Sequence, residues 1–275
     1  MVVAAGLSVF PVVPVGAQDG PTLVPDSYRV AVGAPVNLAL QSAATGAPLT
    51  WDDARISWSL ARVMGTQENS DRAPRADPDG KPGSVRIKTD GAAVVGVDFK
   101  PRVITMDAAA LRKFAHDKGD SEVPDSAQGA QNVRLVESAK TIIRAGKAED
   151  GQSVNISEKT AQLVEIKTMF DPSGVGIGSD IPVSVSAPGG KVKKPRVFAT
   201  HIASGEVQEV HASENGVVSF RLSRAGAWRV EVYHLAAAAK TEKEVPDEGP
   251  RPDWVLSSAT LTFEAGQGTK KEGEK

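Results

Sequence analysis

The stretch "ENGVVSFRLSRAGAWRVEVYH", Glu214 to His234, fixes more of the fold than any other part of the chain. Val218, Phe220 and Leu222 alternate with Ser219 and Arg221, and Trp228, Val230 and Val232 alternate with Arg229, Glu231 and Tyr233. A period of two is the mark of strands buried on one face. Asn215-Gly216 and Ala225-Gly226 supply turns at their ends. The piece therefore reads as a hairpin of a β-sandwich, with Phe220 and Trp228 in the core and His234 closing a strand near a rim. The same reading extends to "SYRVAVGAPVNLALQS", "RISWSLARV", "AAVVGVDFKPRVITM", "QLVEIKTM", "DIPVSVSA", "PRVFATHI", "EVQEVHA" and "DWVLSSATLTFEA". With 26 glycines and 18 prolines to turn the chain between short strands, the expected class is mainly β.

Two segments carry a helical period instead. Asp107 can cap "AAALRKFAHDK", in which Leu111, Phe114 and Ala115 share a face and Gly119 is placed to end the helix. In "NVRLVESAKTIIRAG", Leu135, Val136, Ala139, Ile142 and Ile143 fall at helical spacing, and the end of this segment also admits a strand. The expected architecture is two β-sandwich halves, with one or two helices in the N-terminal half.

The first seventeen residues, "MVVAAGLSVFPVVPVGA", carry no charge and end in the small-residue pattern Val15-Gly16-Ala17. This is the pattern of a secretory signal peptide cleaved before Gln18. Pro11 and Pro14 interrupt an apolar run already short of the ~20 residues of a spanning helix, so no permanent membrane span is expected. The division that follows is a leader over 1–17, an N-terminal β-rich domain over 18–150, a C-terminal sandwich over 160–265 and a disordered tail over 266–275. "MGTQENSDRAPRADPDGKPGS", Met64 to Ser84, reads as a long loop, and the polar stretch from Lys147 to Thr160 separates the halves.

Composition closes off several functions. With 32 basic and 34 acidic side chains, the chain has no surplus charge to attract nucleic acid. The absence of cysteine excludes disulfides, thiolate metal sites and thiol nucleophiles. No G-x-S-x-G or H-E-x-x-H motif is present, and "GVGIGSD" lacks the third glycine of a dinucleotide loop and leads into a strand. No enzyme is expected.

In order, "LVPDSYRVAVGAPVNLAL", "RLVESAKTIIRAG", "LVEIKTMFDPSGVGIGSDIPVSV", "SENGVVSFRLSRAGAWRVEVYH" and "SSATLTF" resemble the bacterial exported family called domain of unknown function 4198, over Pro21 to Glu264. That family is similar to periplasmic components of nickel or cobalt uptake systems, and its C-terminal half resembles transthyretin-like and carboxypeptidase-regulatory-like sandwiches. The resemblance implies a periplasmic or secreted protein with a transthyretin- or Ig-like C-terminal half, and a divalent nickel or cobalt ligand. Relatives often open the mature domain with a histidine, whereas this chain reads "DGPTLVPDS" there.

The metal candidates are then His201, His211 and His234, each near the end of an expected strand, while His116 lies beside Asp117 on the polar side of the first helix. None of them belongs to an H-x-H or H-x-x-x-H pair, so only the fold could assemble a site. Trp51, beside Asp52 and Asp53, either caps the first sandwich or stands exposed to a partner, and burial is the favoured reading. The expected function is a non-enzymatic extracytoplasmic binding or assembly module for an unknown protein or small ligand. The alternative is an accessory that binds divalent metal for nickel or cobalt uptake.

Overall fold

The computed structural model describes residues 20–51, 56–63, 83–88, 90–119, 123–146, 162–187, 190–192, 195–211, 216–239 and 249–266. The leader, most of the loop expected at 64–84, the stretch 147–160 and the tail from 267 onward lie outside the described residues, as do the side chains of 56–63, Trp58 among them. The N-terminal half gives β1 (Pro21–Pro25), β2 (Arg29–Val30), β3 (Pro35–Ser42), β4 (Pro48–Leu49), β5 (Ile56–Val63), β6 (Ser84–Arg86), β7 (Gly91–Phe99), β8 (Arg102–Asp107), α1 (Ala108–Asp117) and β9 (Ala130–Ala145). The C-terminal half gives β10 (Glu165–Thr168), a single 3-10 turn at Pro172–Gly174, β11 (Asp180–Ala187), β12 (Gly190–Lys191), β13 (Arg196–His201), β14 (Val207–His211), β15 (Val217–Arg221), β16 (Gly226–Ala237) and β17 (Trp254–Ala265).

One nine-stranded sheet takes strands from both halves, in the order β14-β13-β16-β17-β9-β7-β5, with β2 and β8 also paired to β9. The pairs are antiparallel except for β17 and β2 against β9, which are parallel. β9 uses each edge twice. Along one edge, β8 takes its first residues and β7 its last, and along the other, β17 is followed by β2.

Smaller sheets cover the two faces. On one face β10, β11 and β15 lie over a core of Ile142, Val197, Phe220, Trp228, Val230, Leu261 and Phe263. On the other face β1, β3 and β4 enclose Leu23, Leu38, Leu40, Val95, Val97 and Ile143. Beside them α1 seats Leu111 and Phe114 against Met106, Leu135, Tyr233 and Leu256. The helix begins as its sequence requires: Asp107 accepts a hydrogen bond from the Ala109 N–H at 2.8 Å. It ends at Lys118, and the Gly119 N–H donates back to Phe114 and Ala115.

The segment with the second helical stripe is a strand. β9 spans it whole, and almost every side chain from Glu137 to Ala145 is buried. A strand covered on both faces shows a continuous apolar run instead of alternation, and such a run also contains helical spacings. The tertiary environment, with layers above and below, decides the conformation.

The stretch from Val217 to His234 is core, as its alternation indicates, but it is not a hairpin: β15 pairs with β11 in a small sheet and β16 with β13 and β17 in the large one, so the turn between them carries the chain from one layer to the other. Trp228 is fully buried, its ring 5.6 Å from that of Phe220, and its indole N–H donates to the Arg224 carbonyl at 3.0 Å. Trp51 is half-buried against the first small sheet. Gly83, with φ +78°, lies so close that a Cβ there would sit 2.5 Å from the Trp51 ring. Trp254, also half-buried, packs beside α1 and donates to Gln131 Oε1 at 3.2 Å.

Trp228→Ala removes a large, fully buried aromatic from the core under β11 and β15, and the expected cost is about 3–5 kcal/mol. Chemical denaturation followed through the remaining tryptophans measures it, and an unchanged midpoint would mean that β16 carries little of the core.

Candidate functional site

Strand alternation sends the even residues of β9 toward β10 and the odd ones toward β1 and α1. Ile142 shares the first face with Ser138, Lys140 and Arg144. Lys140 and Arg144 are both buried, and each meets a carboxylate from the segment that crosses over them. Lys140 Nζ lies 3.4 Å from Glu165 Oε1, and an Arg144 nitrogen lies 2.9 Å from Asp171 Oδ2. Burial pulls the Lys140 ammonium from its ordinary 10.5 down to about 8, with the Glu165 charge opposing the shift. Asp171 also accepts from the Ser173 N–H at 2.9 Å, which shapes the 3-10 turn. Arg29 closes this end by bonding both Glu264, at 2.9 Å, and the Ser173 carbonyl, at 2.5 Å.

A second polar strip lies on the opposite face, between α1 and β1. Glu137 pairs with Arg102 at 3.3 Å, Glu231 contacts Arg229, and the Tyr233 hydroxyl sits 3.4 Å from Glu231 Oε2. Thr260 and Thr262 donate to the Pro21 and Leu23 carbonyls and so fasten β1 to β17. The first strip joins layers through its ion pairs, and the second does so only through the two threonines, its charged pairs lying within the large sheet. The sequence signal for the first was present in "ESAKTIIRA", where Lys140 and Arg144 stand an even number of residues apart in an otherwise apolar run. Read as a helix, that spacing is an ordinary exposed pair. Read as a strand, it puts both cations on one buried face.

The structure does not bring the three candidate histidines together. His201 ends β13 opposite Trp228, whereas His234 lies six residues further along β16, a separation of roughly 20 Å at strand rise. His211 ends β14 opposite Arg196 and so projects from the other face of the sheet, the one that carries Phe198 and Tyr233. It is exposed, with Nε2 3.2 Å from Glu209 Oε1. His201 is buried, with Nδ1 2.8 Å from Ser204 Oγ and Nε2 3.1 Å from the Ala225 carbonyl. A carbonyl only accepts, so Nε2 carries the proton, and neither ring nitrogen has a lone pair free to bind a metal. His116 is exposed beside Asp117, whose carboxyl the His116 and Lys113 contacts hold down at about 2. Among the described residues no three His, Asp or Glu side chains gather closely enough to hold a metal ion. The donors therefore do not fit a shared nickel or cobalt site.

A layered β-sandwich protein is what these elements define, with the Lys140–Glu165 and Arg144–Asp171 pairs joining one layer to the next. Residues 20–236 match the family described as domain of unknown function (DUF4198), and the chain belongs to that family. No curated protein matches it. Among solved structures, the crystal structure of the S-layer protein SbsC domains 4 and 5 aligns at 12% identity over 88% of this chain and 96% of the other, with a TM-score of 0.17. That likeness is too slight to bear on fold or function. No helix among the described residues is long and apolar enough to cross a membrane.

Asp171→Ala leaves the buried Arg144 without this carboxylate and is expected to cost about 3–5 kcal/mol, more than replacing both partners by Arg144→Met and Asp171→Leu together. A double-mutant cycle on denaturation free energies measures the coupling, and additive single and double effects would show that the pair joins nothing.

Proposed function

We propose that the chain is a non-enzymatic binding or assembly module that works outside the cytoplasm, in the periplasm or secreted, on an unknown protein or small ligand. The observation that carries this reading is how the side chains are distributed. Lys140 and Arg144 are engaged with Glu165 and Asp171 of the covering layer, and His201 is bound to Ser204 and to the Ala225 carbonyl. Apolar side chains meanwhile stand at the surface: Met169 and Ile177 flank the 3-10 turn at 48% and 50% exposure, and Val207 opens the terminal strand β14 at 56%. A terminal strand and its neighbouring loops are where a sandwich can offer backbone and apolar contact to a partner. The uncharged leader ending at Ala17 supports the location.

Two measurements test the reading. Protein purified from its source is expected to begin near Gln18, as read by mass spectrometry, and an intact Met1 on cytoplasmic protein would overturn export. Calorimetric titration of the full mature protein with nickel or cobalt near neutral pH is expected to give only weak heat, unchanged in His201→Ala and His234→Ala. A stoichiometric, submicromolar site lost in either variant would replace this reading with a metal-uptake accessory.

A further inference from the structure

We propose that the segment from Gln162 to Gly174, which carries β10 and the 3-10 turn, is an acid-released strap: it lies closed over β9 while Glu165 and Asp171 are ionised and lifts from the large sheet when they are protonated. The inference is independent of the proposed function. It starts from a difference between the joints of the two covering layers. β1 is fastened by the Thr260 and Thr262 hydroxyls, which donate to the Pro21 and Leu23 carbonyls, groups that do not titrate. The strap is fastened by carboxylates: Glu165 meets Lys140 at 3.4 Å and Asp171 meets Arg144 at 2.9 Å, with all four side chains at 8% exposure or less. Acid acts on the second kind of joint and leaves the first alone.

The charges on β9 persist at low pH. Arg144 is a guanidinium, and Lys140, although burial lowers it to about 8, is an ammonium throughout the acid range. Carboxyl side chains ordinarily take up a proton near about pH 4. Protonation therefore removes the negative half of each pair and leaves the positive half inside the fold, the arrangement that a buried ion pair tolerates least. Neighbouring charges add to the strain on the strap. Lys140 also feels Lys167 on β10 and Asp98 on β7, and β11 sets the uncharged Ser186 and Ser184 opposite Glu165 and Lys167. Beside Asp171, Arg29 holds the Ser173 carbonyl and pairs with Glu264 on β17.

The strap is also the part of its layer best placed to yield. β10 is four residues long and ends its sheet in the order β10-β11-β12, so among the described residues lifting it breaks the pairing to one strand. β11 and β15 keep their own apolar side chains, Ile181, Val183, Val218 and Phe220, in the core on the large sheet. Opening uncovers the β11 edge from Val183 to Ser186 and the β9 face that carries Lys140 and Arg144. The sign follows from proton linkage: a carboxylate ionised when closed and free to protonate when open favours closure above its titration range, and that advantage is lost as pH falls. Each such group raises the opening constant by up to about tenfold per pH unit below about pH 4.

Hydrogen exchange on the full chain tests the strap, read as protection factors so that the intrinsic effect of pH on exchange drops out. Between about pH 6 and about pH 3, protection at Glu165–Thr168 is expected to fall by about tenfold or more, while β16 and β17 keep theirs. Glu165→Gln combined with Asp171→Asn holds both side chains uncharged. At about pH 6 this variant is expected to show the low protection of β10 already, with β16 and β17 intact and no further fall on acidification. Where the variant does not fold, the contrast between strands in the unsubstituted protein decides the question by itself. Equal losses in β10, β16 and β17 at one pH would mean that acid unfolds the whole molecule, and would overturn the proposal. Full protection of β10 at about pH 3, or in the folded variant, would overturn it as well.

Discussion

The parallel pairing of β9 with β17 is the contact on which the rest of the molecule depends. Through it, strands from the two halves of the sequence become one sheet, with Trp254 to Thr262 in register with Val133 to Thr141. Without it β13, β14 and β16 would have no connection to β7 and β5 in the same sheet. The consequence for β9 is burial on both faces, because the joined sheet has a layer above and a layer below. A strand in that position has no solvent face on which to place polar residues, so any charge it carries must find its partner inside.

Lys140 and Arg144 meet that requirement by pairing with Glu165 on β10 and with Asp171 just after it, in the layer that covers this face. Buried pairs of this kind add little net stability relative to well-packed apolar residues, but they penalise wrong arrangements heavily. An apolar β9 would tolerate a slip in how the covering layer sits. Two cations four residues apart, answered by two carboxylates six residues apart, accept one alignment.

Much of the fold was legible because half-buried strands declare themselves. β11 alternates buried Ile181, Val183 and Val185 with less buried neighbours, and β15 does the same with Val218 and Phe220. The helix was legible through Asp107 and its apolar stripe. β9 was not, because its alternation is erased by burial on both faces, and what remained in Leu135, Ala139, Ile142 and Ile143 fits a helix equally well. Nor could pattern show that β9 lies beside β17, since a pairing over such a distance leaves no local mark. The same gap hid the polar strips. Lys140 and Glu165 are unremarkable in sequence and become partners only once β9 is known to be a strand. The histidines show the converse: strand ends looked like places to converge, and register sets His201 and His234 far apart along the sheet with His211 on its other face.

β17 is the last of this sheet's strands in chain order among the described residues, and it lies in the middle of the sheet, between β16 and β9. Every other strand of that sheet is synthesised before the one that joins its two groups. Until Trp254 to Ala265 has been made, β9 and β16 each present an unpaired edge, and both cores stand open on the side that β17 will close. Folding is therefore completed late and through contacts distant in sequence, which places this chain among slow folders. An incomplete chain exposes two long edges to neighbouring chains, so its hazard during synthesis is aggregation.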